Sequence, residues 1–172
     1  MEKKFILTEK FVINAFGIKL FQIKCTKSFK HADEGDLGGF VEKESNLSQN
    51  GNAWVSGNAW VSGNAEVSGN ARVPGNAWVS GNALVSGDAL VSGDARVSGD
   101  DKHCGFDCFG SANRHTHAYL TRNGKVEITC GCFRGSIEEF EKAVEKKHAG
   151  TIYEKQYKAI INLINIKFGL DE

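Results

Sequence analysis

The chain has one proline in 172 residues, no net charge and no long apolar run. Without about 18 consecutive apolar residues there is no candidate membrane-spanning helix. The start, Met1-Glu2-Lys3-Lys4, runs into a short mixed segment rather than an apolar signal core. Five cysteines, an odd number, then read as reduced thiols, and the expected location is a cytoplasm. The 21 basic and 21 acidic residues cancel, and no third of the chain departs from neutrality by more than two charges. No global field is left to recruit nucleic acid or an anionic membrane.

Glycine is plentiful, with 20 residues, and it is ordered. It recurs every six residues from Gly51 to Gly99. Ala53 to Ala95 and Val55 to Val97 keep the same phase, so the unit is Gly-Asn/Asp-Ala-x-Val-Ser. A fixed period dictates architecture, and six residues suit a short strand plus a corner rather than a helix. Alternation along Ala-x-Val-Ser sends Ala and Val to one side and x and Ser to the other. Gly-Asn or Gly-Asp supplies the corner, where a positive φ costs Gly nothing. The pattern predicts a parallel β-solenoid.

Val55 followed by Ala59, and Val61 by Ala65, resemble the hexapeptide-repeat family, which places a small residue four positions after an aliphatic one. The resemblance implies a left-handed parallel β-helix of triangular section, with three hexapeptides per coil, so residues 48–100 would form between two and three coils. It also implies a homotrimer around a three-fold axis. Sorted by coil, the outward positions give one face with Trp54, Arg72 and Leu90, a second with Trp60, Trp78 and Arg96, and a third with Glu66 and Leu84. Trp60 should lie directly over Trp78. Serines fill the other outward positions. The outward set Trp54, Trp60, Trp78, Arg72, Arg96, Leu84 and Leu90 reads either as a ladder that stabilises its own strands or as an interface.

Residues 1–47 read as an N-terminal β cap over the open end of the coil. Phe5 and Leu7, then Phe21, Ile23 and Cys25, alternate as strands do, around a turn at Asn14-Ala15-Phe16-Gly17. The junction Gly35-Asp36-Leu37-Gly38-Gly39-Phe40-Val41-Glu42, running through Asn46-Leu47-Ser48 into the first repeat, is similar to bacterial and bacteriophage hexapeptide-repeat proteins known as transferase-like or polymer-forming. Cys130-Gly-Cys-Phe-Arg-Gly resembles the phage versions. That resemblance implies a mobile-element origin and a host-cell location.

Residues 101–172 read as a small α+β module of ββαα type. Strands His115–Thr121 and Lys125–Cys130 flank Arg122-Asn123-Gly124, where Asn-Gly signals a type I′ hairpin turn. Ser136-Ile137-Glu138-Glu139 reads as a capping box opening a helix that ends at Ala149-Gly150, followed by a second helix from 152 to 168. Cys104, Cys108, Cys130 and Cys132 form a candidate zinc set, with His103, His115 and His117 nearby, although the spacings are not the usual knuckles. The competing reading is buried structural thiols.

Hexapeptide-repeat proteins include acyltransferases that use a histidine general base on a loop. Residues 51–100 contain no histidine and no insertion, and His31 and His103 only flank the repeat. The expected function is therefore non-catalytic: a homotrimeric scaffold that binds a host macromolecule and antagonises a host defence. The alternatives are sequestration of a nucleotide signal in Trp- and Arg-lined clefts between subunits, acyl transfer, and a structural virion or assembly part.

Overall fold

A computed structural model describes residues 2–170, which fall into two compact units, Met1–Asp100 and Asp101–Glu172. The fold is mainly β, with two helices near the carboxyl terminus. Neither helix is long and apolar enough to cross a membrane.

The first unit opens with three antiparallel strands, β1 (Phe5–Ile13), β2 (Lys19–Cys25) and β3 (Leu37–Val41). The repeat follows as two-residue strands: β4 (Trp54–Val55), β5 (Trp60–Val61), β6 (Glu66–Val67), β7 (Arg72–Val73), β8 (Trp78–Val79), β9 (Leu84–Val85) and β10 (Arg96–Val97). They pair in parallel with partners 18 residues on, three hexapeptides to a turn. Trp54 aligns with Arg72, Glu66 with Leu84, and Trp60 with Trp78 and then Arg96. Leu90 joins Arg72 through an isolated bridge.

The alternation in the sequence explains the interior. Every alanine from Ala53 to Ala95 is at most 3% exposed, and every valine from Val55 to Val97 is wholly buried. Burying a valine side chain contributes roughly 1.5–3 kcal/mol. Each corner glycine from Gly51 to Gly93 has a φ between +64° and +82°. The Asn after each corner from Gly51 to Gly75 sits over its counterpart one coil on. Asn52 donates its amide to Asn70 at 2.9 Å and Asn70 to Asp88 at 3.0 Å, while Asn64 donates to Asn82 at 3.2 Å.

An open coil end exposes unpaired backbone, and three different groups cover it. Strand β3 pairs in parallel with β5, so the amides of Phe40 and Glu42 donate to the carbonyls of Ala59 and Val61, each at 2.9 Å. The buried Asn46 amide donates to Gly63 and Ala65 at 3.1 and 2.8 Å. The Lys4 ammonium reaches Ala53 at 2.9 Å and Gly51 at 3.4 Å. The paired glycines of β3 follow from this docking, because a Cβ on Gly39 would lie 2.7 Å from the Ala59 carbonyl oxygen.

The second unit is richer in strands than the sequence reading. Its sheet has four, in the order β11 (His103–Phe109), β12 (Arg114–Leu120), β13 (Val126–Cys130) and β14 (Phe133–Gly135), followed by α1 (Ile137–His148) and α2 (Ile152–Phe168). The ββαα expectation is thus corrected to ββββαα. β11 was missed because Gly105 and the positive-φ Cys108 interrupt its alternation, and β14 because three residues show no period. The hairpin turn is also corrected. Gly124 alone takes a positive φ and its amide returns to Thr121, since the three residues between the bonded Thr121 and Lys125 favour a type I turn closed by a left-handed Gly. The capping box stands: Ser136 Oγ accepts from the Glu139 amide, and the Ser136 amide donates to the Glu139 carboxylate. Phe140, Val144, Tyr157, Ile160, Ile161 and Ile164 pack under one face of the sheet.

Candidate functional site

Two surfaces of the first unit gather candidate residues. The first is the wall formed by β5, β8 and β10. Its Trp60 and Trp78 rings stack with centroids 4.6 Å apart, and the Arg96 guanidinium lies 3.2 Å from the Trp78 centroid. All three are half-buried. The tip of the β1–β2 hairpin stands beside them. There Asn14 Oδ1 accepts from the amides of Phe16 and Ile18, each at 2.9 Å, and Phe16 is 81% exposed. Asn14, Phe16 and Ile18 line a 190 Å³ hollow with Trp60 and Trp78. Exposed Phe11 and Ile13 continue the apolar character along β1.

Trp54 does not belong to this wall. Expected on an exposed face, it is 5% exposed, because Phe29 from the β2–β3 connection lies edge-on to it at 5.5 Å. Its ladder partner Arg72 stays exposed, Leu90 is half-buried, and Leu84, on the third ladder, is exposed. The seven outward residues therefore divide among three ladders and do not form one patch. The serine wall is also less open than expected: Ser62 and Ser92 are buried, Ser62 beside the hairpin hollow.

The second surface is a cleft of about 430 Å³ under that same connection. Phe29, Lys30, His31, Asp33 and Asp36 line one side, and Trp54, Ser56, Arg72 and Pro74 of the repeat line the other. Phe29 and Ala32 exchange backbone hydrogen bonds at 2.9 and 3.4 Å, which sets Lys30 and His31 at the tip of a tight turn. Further bonds from the Asp33 amide to the Asp36 carboxylate and from the Glu34 amide to Ser28 Oγ, each 2.9 Å, hold the loop. Burial lowers the His31 pKa, and Arg72 and Lys30 lower it further, with Asp88 opposing. Nothing in the sequence flags this cleft, since Phe29 and Trp54 are 25 residues apart and show no shared period.

Residues 65–81 and 77–93 match the YdcK beta solenoid repeat. The repeat is a β-solenoid. No curated protein matches the chain.

In the second unit the four candidate zinc ligands separate. Cys130 is buried in the helix-facing core, 3.8 Å from the Tyr157 hydroxyl, and Cys104 is half-buried against the same core. Cys108 and Cys132 are exposed, Cys108 near the end of β11 and Cys132 in the turn between β13 and β14. Among the described residues no three His, Cys, Asp or Glu side chains converge to hold a metal. Burial pushes the Cys104 thiol up. The Tyr157 phenol is pushed up to about 12 by burial and by Cys130 beside it.

The three histidines near those cysteines do come together. His103 Nδ1 and His117 Nε2 share a hydrogen bond of 3.0 Å, and the His115 ring lies 5.6 Å from that of His117. His115 Nδ1 pairs with Asp107 at 2.5 Å. Farther along the same face Glu127 accepts from the Tyr119 hydroxyl and from Arg134 Nε, the latter at 2.6 Å. The sequence signal was there in part, because His115 and His117, two apart on a strand, must share a face.

Proposed function

We propose that the protein is a non-catalytic binding scaffold whose solenoid wall, centred on Trp60, Trp78 and Arg96, docks a macromolecular partner. The stacked Trp60–Trp78–Arg96 column beside exposed Phe16 carries this reading. Large aromatics and arginine are the residues that anchor interfaces, and a solenoid holds them on a rigid backbone. A partner that covers the column gains apolar area and finds the guanidinium already aligned by its stacking.

The finer parts of the reading rest on resemblance. The 18-residue turn supports the left-handed coil of three hexapeptides that the hexapeptide-repeat resemblance implies, and such coils commonly associate as homotrimers. The junction through Gly38-Gly39-Phe40 is similar to that of phage proteins, which makes a host component, in particular one of a defence system, the partner class to test first.

The test joins native mass spectrometry with capture from bacterial lysate. A trimer that retains a defined host protein, and loses it in the Trp60→Ser/Trp78→Ser variant, supports the reading. Retention of the same proteins by that variant sinks it.

A further inference from the structure

We propose that the cleft between the β2–β3 connection and the solenoid binds a small hydroxylated phosphate monoester, a sugar phosphate or the ribose-phosphate part of a nucleotide.

The cleft is large enough. Its volume of about 430 Å³ lies within the range of roughly 300–1,000 Å³ typical of small-molecule sites. It is also built in advance. Lys30 and His31 project from a turn closed by the Phe29–Ala32 bonds, and Arg72 comes from a solenoid strand locked in its ladder on both sides.

Its charges are divided rather than uniform. The His31 ring feels Arg72, Lys30 and Lys4 against the single acid Asp88, so the surroundings of His31 favour an anion. Neither the Arg72 nor the Lys30 side chain has a hydrogen-bond or ion-pair partner among the described residues, which leaves their side-chain donors to a ligand. His31 Nε2 is sealed from solvent with no partner among the described residues, a group that a bound acceptor or donor would satisfy. Arginine is suited to phosphate because its planar fork donates two parallel hydrogen bonds.

The carboxylates of Asp33 and Asp36 line the same cleft. Acceptors of this kind suit hydroxyl donors and repel a bare or highly charged anion. Trp54 is nearly covered and engaged edge-on by Phe29, so it offers a rim rather than a free face for stacking. Cationic donors for an anionic group and carboxylate acceptors for hydroxyls in one cleft describe a polyol phosphate better than inorganic phosphate or a free aromatic base.

The experiment is isothermal titration of the full chain with ribose 5-phosphate, adenosine monophosphate, ribose and inorganic phosphate. Saturable binding of one or both esters is expected, at least tenfold tighter than inorganic phosphate. Adenosine monophosphate binding tenfold tighter than ribose 5-phosphate identifies a nucleotide as the ligand, and the reverse or parity identifies a sugar phosphate. Arg72→Gln removes an exposed, unpaired side chain and should weaken ester binding at least tenfold, with the circular dichroism spectrum unchanged. Lys24→Gln removes the same charge from an exposed position on β2 and should leave binding intact. The proposal is overturned if neither ester binds at millimolar concentration, if inorganic phosphate binds as tightly, or if Lys24→Gln weakens binding as much as Arg72→Gln.

Discussion

Trp60 and Trp78, 18 residues apart, stack with their planes 17° from parallel, and Arg96 extends the column by one further coil. Trp78 is the middle member and touches both neighbours. Its replacement removes an aromatic pair worth about 0.5–1.5 kcal/mol and a cation–π contact worth about 0.5–1 kcal/mol. Trp78→Ala should therefore cost about 1–2.5 kcal/mol in urea unfolding, and more than Trp60→Ala, which breaks only the pair. Equal costs for the two would show that Arg96 contributes nothing through the ring. Because the same column is the proposed docking wall, the stability loss has to be measured before any loss of binding is interpreted.

Gly39 is demanded by contact. A Cβ there would stand 2.7 Å from the Ala59 oxygen and 2.9 Å from a Val55 methyl, both on the first coil. Gly39→Ala must push β3 off β5, at a cost of about 1–3 kcal/mol for overpacking. Hydrogen exchange localises the effect: the amides of Phe40 and Glu42, which bond to Ala59 and Val61, should lose protection first. Unchanged protection at those two amides would mean the cap adjusts elsewhere.

The repeat was legible because one residue type at one phase meets one physical demand. Gly51 to Gly93 all turn with positive φ, and the alanine and valine phases all point inward. The α1 boundary was legible through Ser136 and Glu139, whose reciprocal bonds are local. What escaped the sequence depends on contacts across distance. Trp54 has the same pattern position as Trp60, and only the arrival of Phe29 from the β2–β3 connection buries one and not the other. The cleft that holds His31 and Arg72 comes from the same excursion. Strand β11 was hidden for another reason: Cys108 breaks its alternation with a left-handed backbone that no motif announces.

The corner ladders give Asn52, Asn58, Asn64, Asn70 and Asn76 each a partner one coil on, and the Asn52–Asn70–Asp88 column ends in an acceptor that has nothing to donate. Asn70→Asp would set two carboxylates against each other and delete the donor that reaches Asp88. Stacked like charges and the lost bond together should cost about 1 kcal/mol at low salt. The penalty should shrink in 1 M salt, where screening acts over about 3 Å. Asp88→Asn keeps an acceptor in place and should change stability by no more than about 0.5 kcal/mol. Thermal melts of both variants at two ionic strengths check this, and a salt-independent loss for Asn70→Asp would remove charge repulsion from the account.

Lys4 closes the coil end with a group that titrates. Its ammonium is buried, donates to the Ala53 and Gly51 carbonyls and lies 5.1 Å from the Phe29 ring. Burial lowers its pKa from 10.5 to about 8, with Cys25 opposing. Between those values the unfolded chain binds the extra proton, so raising the pH favours the folded state. The cost of burying the charge is complete below pH 8 and is relieved as pH climbs toward 10.5. Lys4→Met abolishes that titration and leaves two carbonyls without a donor, a loss of about 1–3 kcal/mol. The gap in unfolding free energy between wild type and Lys4→Met should therefore be smaller at pH 7 than at pH 10. Urea titrations across that range measure the gap directly, and a constant gap would mean that Lys4 keeps its ordinary proton affinity and caps the carbonyls without strain.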